Sequence, residues 1–566
     1  MSRAGRRPKW HNGLLGLTVV LAMAVPLPFS HIAKSQAATT KPAITGSGPT
    51  KAQRIKVLKA ALNLMHKNFA KLSQFTPSAQ DVFDYDVGAL WKQGTDGTGT
   101  TVAVMEGWND PNITSVMADF DKHLGLPKAQ VKTIFPTGKH KLPATCPPGM
   151  VKLQSYGSCD AWAGELELDV ASVHLMAPYA KILIVVAPPD SEITDDAASQ
   201  VAPPEFMEAL EAIGSQHLAN VVSISDGTAE ATFSHGFRQI YEQDAGELTT
   251  AKFGVPVLVG TGDCDAVQHL AVGPSSCNPN LVTKGRASAA WDDSPWVTAV
   301  GGTTPNLNAS GQRAGDDPVW NLGPQGLPFG EGAGYSAAFG RPSYQNGVAK
   351  ITKSRQRSVP DISLDGSSGT SESGPLLAGI LALATQLNHG QNVGPINPLL
   401  YSVLGPAGLK DGIADVVSGN NDVIRNGKVV VKGFAAAKGF DVASGWGTVR
   451  ANTFAPALAK ATAAAHQDAT VRAQAAAALL KLEHRVALST VVVSGSGSTK
   501  LTAQGFLAGH PVVLSIDHHK VRTLTANSKG TVRFTIRPAI LGLGRGRHKI
   551  SLSSMLITST GSFRVS

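Results

Sequence analysis

Short apolar runs alternate with longer amphipathic segments between residues 84 and 455. The apolar runs are the stretches 101–105, 182–186, 221–224, 255–259 and 297–300. Helical candidates such as 205–218 and 237–252 lie between them. Because strands and helices that alternate along a chain form βαβ units, this pattern predicts a parallel sheet with helices on both faces. Functional groups in such a fold collect at the carboxyl ends of the strands.

The pattern changes after Pro456. Residues 456–484 are rich in Ala and predict a helical linker or semi-rigid spacer. Residues 485–566 instead contain short alternating runs separated by Gly, Asn or Pro turns, namely 487–493, 500–504, 512–516, 522–525, 532–536, 549–552 and 562–565. Short strands at this spacing are typical of an immunoglobulin-like β-sandwich. The predicted fold class is therefore α/β with an additional C-terminal all-β domain.

The first residues of the chain have the order of a targeting segment. A basic stretch is followed by the apolar run 13–29 and by small residues around Ala37. This order predicts a signal peptide over residues 1–37, so we expect a secreted, extracellular protein with no transmembrane segment after signal removal. Residues 38–83 form a polar lead with one helical candidate at 52–72.

Composition and charge limit the possible classes of protein. The chain has 566 residues, of which 42% are hydrophobic and 16% charged, so it can bury a large core and divides into at least two domains. Its formal net charge is +9, and residues 485–566 hold eleven Lys or Arg against one acidic residue, Asp517. This basic domain is expected either to bind anionic cell-surface polymers or only to keep the protein soluble. No nucleic-acid partner is expected.

Four cysteines fit an oxidising compartment. Cys146 and Cys159 bracket one short loop, and Cys264 and Cys277 bracket another. Of the three possible connectivities, the sequential one, which closes two short rings, is favoured. The spacing is unlike that of a zinc site.

A turn of small residues at 367–375 leads directly into the apolar segment 376–387. This pattern predicts a tight turn that feeds a buried helix, with Ser371 at the helix N-terminus. The free backbone N–H groups and the positive end of the helix dipole favour a developing anion there, which suits a nucleophilic Ser. The alternative is an ordinary helix cap rich in Ser and Thr.

Two carboxylates are spaced for one face of a helix. Glu165 and Asp169 are four residues apart, while Leu166, Val170 and Val173 form a neighbouring apolar stripe. These residues predict a core-facing helix that carries a pair of acidic groups. A solvated acidic face is the alternative.

The Gly-Thr-Ser-x-x-x-Pro pattern at 369–375 resembles the nucleophile segment of the subtilisins and of the sedolisins, the serine-carboxyl peptidases. Subtilisins use a His as the base, but no His of this chain lies in a His-Gly-Thr-His setting. Residues 164–169 resemble the sedolisin pattern, in which a Glu replaces that His. The resemblance implies a subtilisin-like catalytic domain over 84–455, with Ser371 as nucleophile, Glu165 as base and Asp169 as its support.

Further segments follow in sedolisin order. Glu106 resembles an additional Glu that hydrogen-bonds the supporting Asp, and residues 260–263 resemble the segment whose Asp, here Asp263, lines the oxyanion hole. Residues 294–303 and 332–336 are similar to other recurring family segments. Two features depart from the pattern: Asp226 stands where the family has a Trp, and the long folded prosegment of the family has no counterpart in the lead.

The same resemblance implies one calcium ion. Asp415 and Asp441 would bind it through their carboxylates, and Val416, Ala437 and Gly439 would bind it through backbone carbonyls. Oxygen ligands of this kind are those that Ca²⁺ prefers. The alternative is a pair of ordinary Asx turns.

The resemblance therefore implies a secreted endopeptidase that cleaves peptide or protein substrates in acid through Ser371, Glu165, Asp169 and Asp263. The alternative is a secreted binding protein built on an inactive peptidase scaffold. Asp226 and the missing prosegment keep that alternative open.

Overall fold

The structure is a computed structural model, and it describes residues 48–73, 77–136, 159–187, 204–232, 245–270, 277–465, 470–475, 487–488, 492–504, 506, 511–527, 531–554 and 557–566. The predicted signal peptide lies outside the described residues, as does Cys146. No helix within these ranges is long and apolar enough to cross a membrane.

A seven-stranded parallel sheet forms the centre of the fold. Its strands are β1 Thr101–Glu106, β2 Gln130–Ile134, β3 Lys181–Val186, β4 Val221–Ile224, β5 Val257–Gly260, β6 Thr298–Thr303 and β7 Ile362–Asp365. They lie in the order β7-β6-β5-β4-β1-β3-β2, and every neighbouring pair is parallel. The α/β fold class with a subtilisin-like parallel sheet is confirmed.

The five predicted apolar runs correspond to β1, β3, β4, β5 and β6, whereas β2 and β7 were not predicted as strands. β2 lies at the edge of the sheet and its side chains are only partly buried, so its sequence lacks a continuous apolar run. β7 is fully buried but has only four residues. Neither strand carries the pattern on which the prediction depends.

Two long helices pack against each other beside the sheet. The helix Thr370–Leu387 is buried along almost its whole length, and it packs on the helix Cys159–Met176. A Cβ atom at Gly379 would lie 2.5 Å from the Met176 Cβ, a distance that real Cβ contacts do not reach. The glycine therefore permits the close approach of the helix that carries Ser371 to the helix that carries Glu165.

The predicted helix of the N-terminal lead is two helices, Lys51–Lys67 and Phe69–Leu72. Thr50 and Gln53 form a capping box at the start of the first helix. Its buried face includes Leu58 and Met65, which belong to the same apolar core as the central sheet. This helix is thus an integral part of the core and not a polar extension.

Shorter elements complete the α/β part. The other helices are Ala79–Asp84, Val87–Gln93, Ile113–Leu124, Pro204–Ser215, Ala245–Lys252, Ala349–Thr352, Asn397–Leu399, Gly405–Ala407 and Ala451–Ala465, with single turns at Glu230–Thr232, Gly323–Gln325, Ser343–Val348, Leu400–Leu404 and Gly408–Asp411. Four antiparallel ribbons pair Thr228–Ala229 with Ala289–Ala290, Gly334–Gly340 with Gln356–Val359, Ile413–Ala414 with Thr448–Val449, and Val423–Arg425 with Lys428–Val431.

The C-terminal part contains two β-sheets. One has the order Ala487–Leu488, Thr499–Gln504, Thr531–Ile536, and the other the order Val492–Val493, Ile557–Val565, Gly546–Ser554, Pro511–Ile516, His519–Thr525. Side chains from both sheets, including Leu501 and Leu514, share one apolar cluster. This arrangement is compatible with the predicted sandwich.

The disulfide between Cys264 and Cys277 is formed, with a Cα–Cα distance of 5.2 Å. The sequential pairing is confirmed for this ring. The other predicted pair falls on Cys146 and on the side chain of Cys159, which lie outside the described residues.

Candidate active site

The candidate site lies at the carboxyl end of the central sheet. Glu106 ends β1, Asp226 follows β4 by two residues, and Asp263 follows β5 by three. The helix that begins at Thr370 starts beside them, because the Thr370 backbone N–H donates to Asp263 Oδ1 at 2.8 Å. The sheet topology thereby brings together residues that are far apart in the sequence, as parallel α/β folds do.

The turn before Ser371 depends on Gly369. Its φ of 102° is a conformation that L residues rarely adopt, and a Cβ atom there would lie 2.7 Å from Asp263 Oδ2. Thr370 also donates its hydroxyl to Asp263 Oδ1 at 3.1 Å. Asp263 is consequently held directly against the turn that presents the candidate nucleophile.

Ser371 and Glu165 contact each other. The Ser371 hydroxyl hydrogen-bonds the Glu165 carboxyl group, while Glu165 Oε1 is buried with no hydrogen-bond partner among the described residues. Burial raises the pKa of Glu165 to about 7, and the nearby charge of Asp263 adds to the rise although the Ser371 hydrogen bond opposes it. The pair has the composition of a nucleophile beside a general base.

Asp169 lies one helical turn from Glu165 and is fully buried. The Ser225 hydroxyl is 3.0 Å from each of its two carboxylate oxygens. Burial first, and then the charge of Glu165, hold the pKa of Asp169 well above its usual range. Asp169 is therefore neutral over a wider pH range than an exposed carboxyl group.

Glu106 accepts no hydrogen bond from an N–H or hydroxyl group of the described residues, and the bond between its carboxyl group and that of Asp169, which the family resemblance implies, stays a prediction. Both of its carboxylate oxygens are buried without a hydrogen-bond partner in the described part of the chain. Burial, followed by the charges of Asp169, Glu165 and Asp226, raises the pKa of Glu106 well above its usual range. After burial, the charge of Asp169 is thus the largest cause of the raised pKa of Glu106.

Asp226 occupies the position of the family Trp and adds another acid. Its Oδ1 accepts the Gly227 backbone N–H at 2.8 Å, whereas Oδ2 is buried and unpaired within the described ranges. Burial is the main cause that raises its pKa, and the charge of Glu165 contributes. No Lys or Arg of the described residues pairs with Glu106, Glu165, Asp169 or Asp226, so burial favours the protonated forms of these groups.

A second carboxyl cluster lies behind the nucleophile turn. Asp81, Asp365 and Glu372 are buried, and their carboxylate oxygens lie within 4.8 Å of one another. Glu372 Oε2 accepts the Ser368 N–H at 3.2 Å, and Asp365 Oδ1 accepts the Ser367 N–H at 2.8 Å. The cluster thereby ties the turn that precedes Ser371 to the segment that precedes β1.

The charges around this cluster do not neutralise it. Burial raises the pKa of Asp81, Asp365 and Glu372, and the negative charges within the cluster add to the rise for Asp81 and Glu372. The nearby Arg313 pairs instead with Asp84 at 2.9 Å and with Asp317 at 2.7 Å. The cluster is stable only while at least one of its carboxyl groups is protonated.

Sequence reasoning missed Asp81, Asp365 and the roles of Glu372 and Ser225. A signal existed for Glu372, since an acidic residue in the first turn of an otherwise apolar helix has to be explained. Asp81 and Asp365 carry no local signal, because their contact depends on the tertiary fold.

The residues predicted to bind calcium lie together. Gly439 N–H donates to Asp415 Oδ2 at 2.8 Å, and Asp441 accepts the N–H of Ala437 at 2.8 Å. Asp415 Oδ1 is buried and has no hydrogen-bond partner among the described residues. A buried carboxylate oxygen without a hydrogen-bond partner fits a hard cation such as Ca²⁺.

Comparison with known proteins agrees with the fold. The chain is 28% identical over 390 residues to kumamolisin from Bacillus sp. (strain MN-32), an alignment that covers 64% of this chain and 61% of kumamolisin. It is similar to the solved structure of Pseudomonas sedolisin, a serine-carboxyl proteinase complexed with two molecules of pseudo-iodotyrostatin. That match has a TM-score of 0.52 and 22% identity, and it covers 70% of this chain and 97% of that chain. No family model matches the chain.

The fold is that of a serine-carboxyl peptidase, and the resemblance to the sedolisin family is confirmed. The chain is similar to kumamolisin, and the alignment spans less than two thirds of the length of that protein.

Replacement of Glu372 tests the second carboxyl cluster. Its raised pKa means that the unfolded chain releases this proton at lower pH than the native protein does, so stability falls as pH rises between the two values. Glu372→Gln keeps an acceptor for the Ser368 N–H but removes the ionisation, and we expect a smaller loss of melting temperature between pH 4 and 8. Each unit of difference between the native and unfolded pKa values corresponds to about 1.4 kcal/mol in the free energy of unfolding. The exposed Asp316→Asn is the control. If the melting temperature of Glu372→Gln falls with pH as steeply as that of wild type, the proposed role of the cluster is contradicted.

Proposed function

We propose that this protein is a secreted serine-carboxyl endopeptidase that hydrolyses peptide bonds at acidic pH. The observation that carries the proposal is the hydrogen bond between Ser371, at the start of a buried helix, and the carboxyl group of Glu165. A hydroxyl in contact with a base and beside free helical N–H groups is the arrangement that acyl transfer requires.

The chemistry proceeds through an acyl-enzyme. Ser371 Oγ attacks the carbonyl carbon of the scissile bond while Glu165 accepts the hydroxyl proton, and Glu165 then gives this proton to the departing amine. Water enters with Glu165 again as the base, and the ester to Ser371 is hydrolysed. Asp169 supports Glu165 from the next turn of the same helix.

The oxyanion of the tetrahedral intermediate is stabilised by Asp263 and the Ser371 backbone N–H. An ionised carboxylate would repel the oxyanion, so Asp263 contributes only as a protonated hydrogen-bond donor. Burial raises the pKa of Asp263 above its usual value, whereas its hydrogen bonds from Thr370 oppose the rise. The burial of Asp263 therefore favours the donor form that this step needs.

A binding protein on an inactive scaffold is the second candidate. Asp226, at the position of the family Trp, favours it because a buried carboxyl beside Glu165 disfavours ionisation of the base. The peptidase is preferred because Ser371, Glu165 and Asp263 are together at one site.

Substitution of the nucleophile and base tests the proposal. Ser371→Ala and Glu165→Gln should each lower kcat for a peptide substrate by roughly 10⁴-fold or more, and the double variant should be little worse, because the two residues act as a unit. The exposed Ser402→Ala serves as control and should retain wild-type turnover. Peptide cleavage that survives Ser371→Ala would end the assignment, and a wild type inactive on a peptide library would favour the binding protein.

The pH profile tests the role of Asp263. Glu165 must be ionised and Asp263 protonated, so the pair is active while it holds a single proton, and activity should be bell-shaped. The acid limb marks uptake of a second proton and the alkaline limb marks loss of the last one, and we expect an optimum below neutrality. Asp263→Asn supplies a donor that does not titrate, so its residual activity should rise with pH and then stay level. An alkaline limb equal to that of wild type in Asp263→Asn would exclude Asp263 as the donor.

Chelation tests the calcium site. Asp415 and Asp441 would bind one Ca²⁺ together with the carbonyls of Val416, Ala437 and Gly439, and a ligand of the native state stabilises it by mass action. A strong chelator should lower the melting temperature of wild type, whereas Asp415→Ala/Asp441→Ala should not respond. Identical melting curves of wild type with and without chelator would remove the site.

The C-terminal β domain is proposed to bind anionic polymers of the cell surface. The strand His519–Thr525 lies at the edge of its sheet, and Lys520 and Arg522 on it are exposed. Electrostatic binding weakens as salt screens the charges. We expect the full-length protein to be retained on anionic wall polymer at low salt and released at high salt. The double variant Lys520→Gln/Arg522→Gln should be retained less. Absence of retention of the wild type at low salt would contradict the proposal.

A further inference from the structure

Ser225 lies between the supporting carboxyl group and the nucleophile. It follows the last residue of β4, and its hydroxyl is 3.0 Å from both Asp169 oxygens and 3.4 Å from the carbonyl oxygen of Ser371. Among the described residues, Ser225 is the hydrogen-bonding side chain recorded for Asp169. The Ser225 hydroxyl therefore contacts both Asp169, the proposed support of Glu165, and the main chain of Ser371, the candidate nucleophile.

The Ser371 carbonyl has a particular need for a donor. In a regular helix this carbonyl would accept the N–H of the residue four positions later, which here is Pro375. Proline has no N–H, so the usual partner is missing. The contact from Ser225 thus replaces a bond that the helix itself cannot make.

The single proton of the Ser225 hydroxyl cannot serve both acceptors at once. When Asp169 is ionised, the hydroxyl donates to its carboxylate. When Asp169 is protonated, its O–H donates to Ser225 Oγ, and the Ser225 proton is free for the Ser371 carbonyl. The change takes up one proton from solvent at Asp169, and it reverses the direction of the hydrogen bond between Asp169 and Ser225.

We propose that Ser225 is a positioning residue that links the protonation of Asp169 to the placement of the Ser371 main chain. The inference rests on the proposed peptidase function. In the protonated state the hydrogen bonds run from Asp169 through Ser225 to the Ser371 carbonyl. This chain fixes the first turn of the helix, including the Ser371 N–H that faces the oxyanion.

Other acidic groups surround the linkage and set when it forms. Glu165 lies on the same helix as Asp169, Glu106 ends β1, and Asp226 follows Ser225 directly. Burial and then the negative charge of Glu165 favour the protonated form of Asp169, whereas the hydrogen bond from Ser225 favours the ionised form. The balance of these effects on Asp169 determines that Ser225 holds the Ser371 main chain in place at acidic pH.

Kinetics of matched variants provide the first test. Ser225→Ala should lower kcat about tenfold with little change in KM, because an effect on the nucleophile's main chain is realised in the transition state. The loss of kcat should be largest on the acid side of the pH–activity profile. Ser225→Thr, which keeps the hydroxyl, should recover most of the lost kcat. The control is Ser223→Ala on the same strand, whose buried hydroxyl has no hydrogen-bond partner in the described part of the chain. A deficit for Ser225→Ala that is constant with pH would overturn the proposal.

Stability provides a test that does not depend on peptidase activity. The pKa of Asp169 is higher in the native protein than in the unfolded chain, so stability falls as pH rises through the native titration. Ser225→Ala removes the donor that favours the ionised form, so its melting temperature should fall further below that of wild type as pH rises from 4 to 8. Ser223→Ala retains every acidic group of the site and should follow wild type. If the difference in melting temperature between Ser225→Ala and wild type does not vary with pH, the linkage is refuted, even if the protein cleaves no peptide. If the expected trend is seen in a protein that cleaves no peptide, only the peptidase function is refuted.

Discussion

Burial of several carboxyl groups that have no basic partner among the described residues is the constraint on which the α/β part of this protein depends. An isolated ionised carboxylate in an apolar interior is so costly that the group takes up a proton instead. Glu106, Asp169 and Asp226 lie at the ends of strands and on a core helix where water is excluded. Protons bound by these carboxyl groups therefore take the place of the counter-charges that Lys and Arg provide in other sites.

The same constraint explains the tight packing around the site. Gly379 allows the two long helices to approach so closely that the carboxyl groups on one meet the hydroxyl on the other. Gly369 brings the turn against Asp263 in a similar way. Larger residues at these positions would separate the groups and admit water, which would restore ordinary acidity to them.

The features that could be predicted from the sequence are those that depend on a local pattern of residues. Apolar runs indicated the buried strands, and the Gly-Thr-Ser turn before an apolar helix indicated the position of Ser371. Short cysteine spacing indicated the Cys264–Cys277 bond. The contact of Ser225 with Asp169, and of Asp81 with Glu372, could not be predicted because each joins elements distant in the chain.

The lead helix Lys51–Lys67 also limits how the protein can be trimmed. Its apolar face fills part of the central core, and its Arg54 forms an ion pair with Asp96 at 2.8 Å, just before β1. A protease that cut within this helix would uncover that core and loosen the strand which carries Glu106. A truncation that leaves this core intact therefore has to stop upstream of Thr50, where the capping box begins the helix.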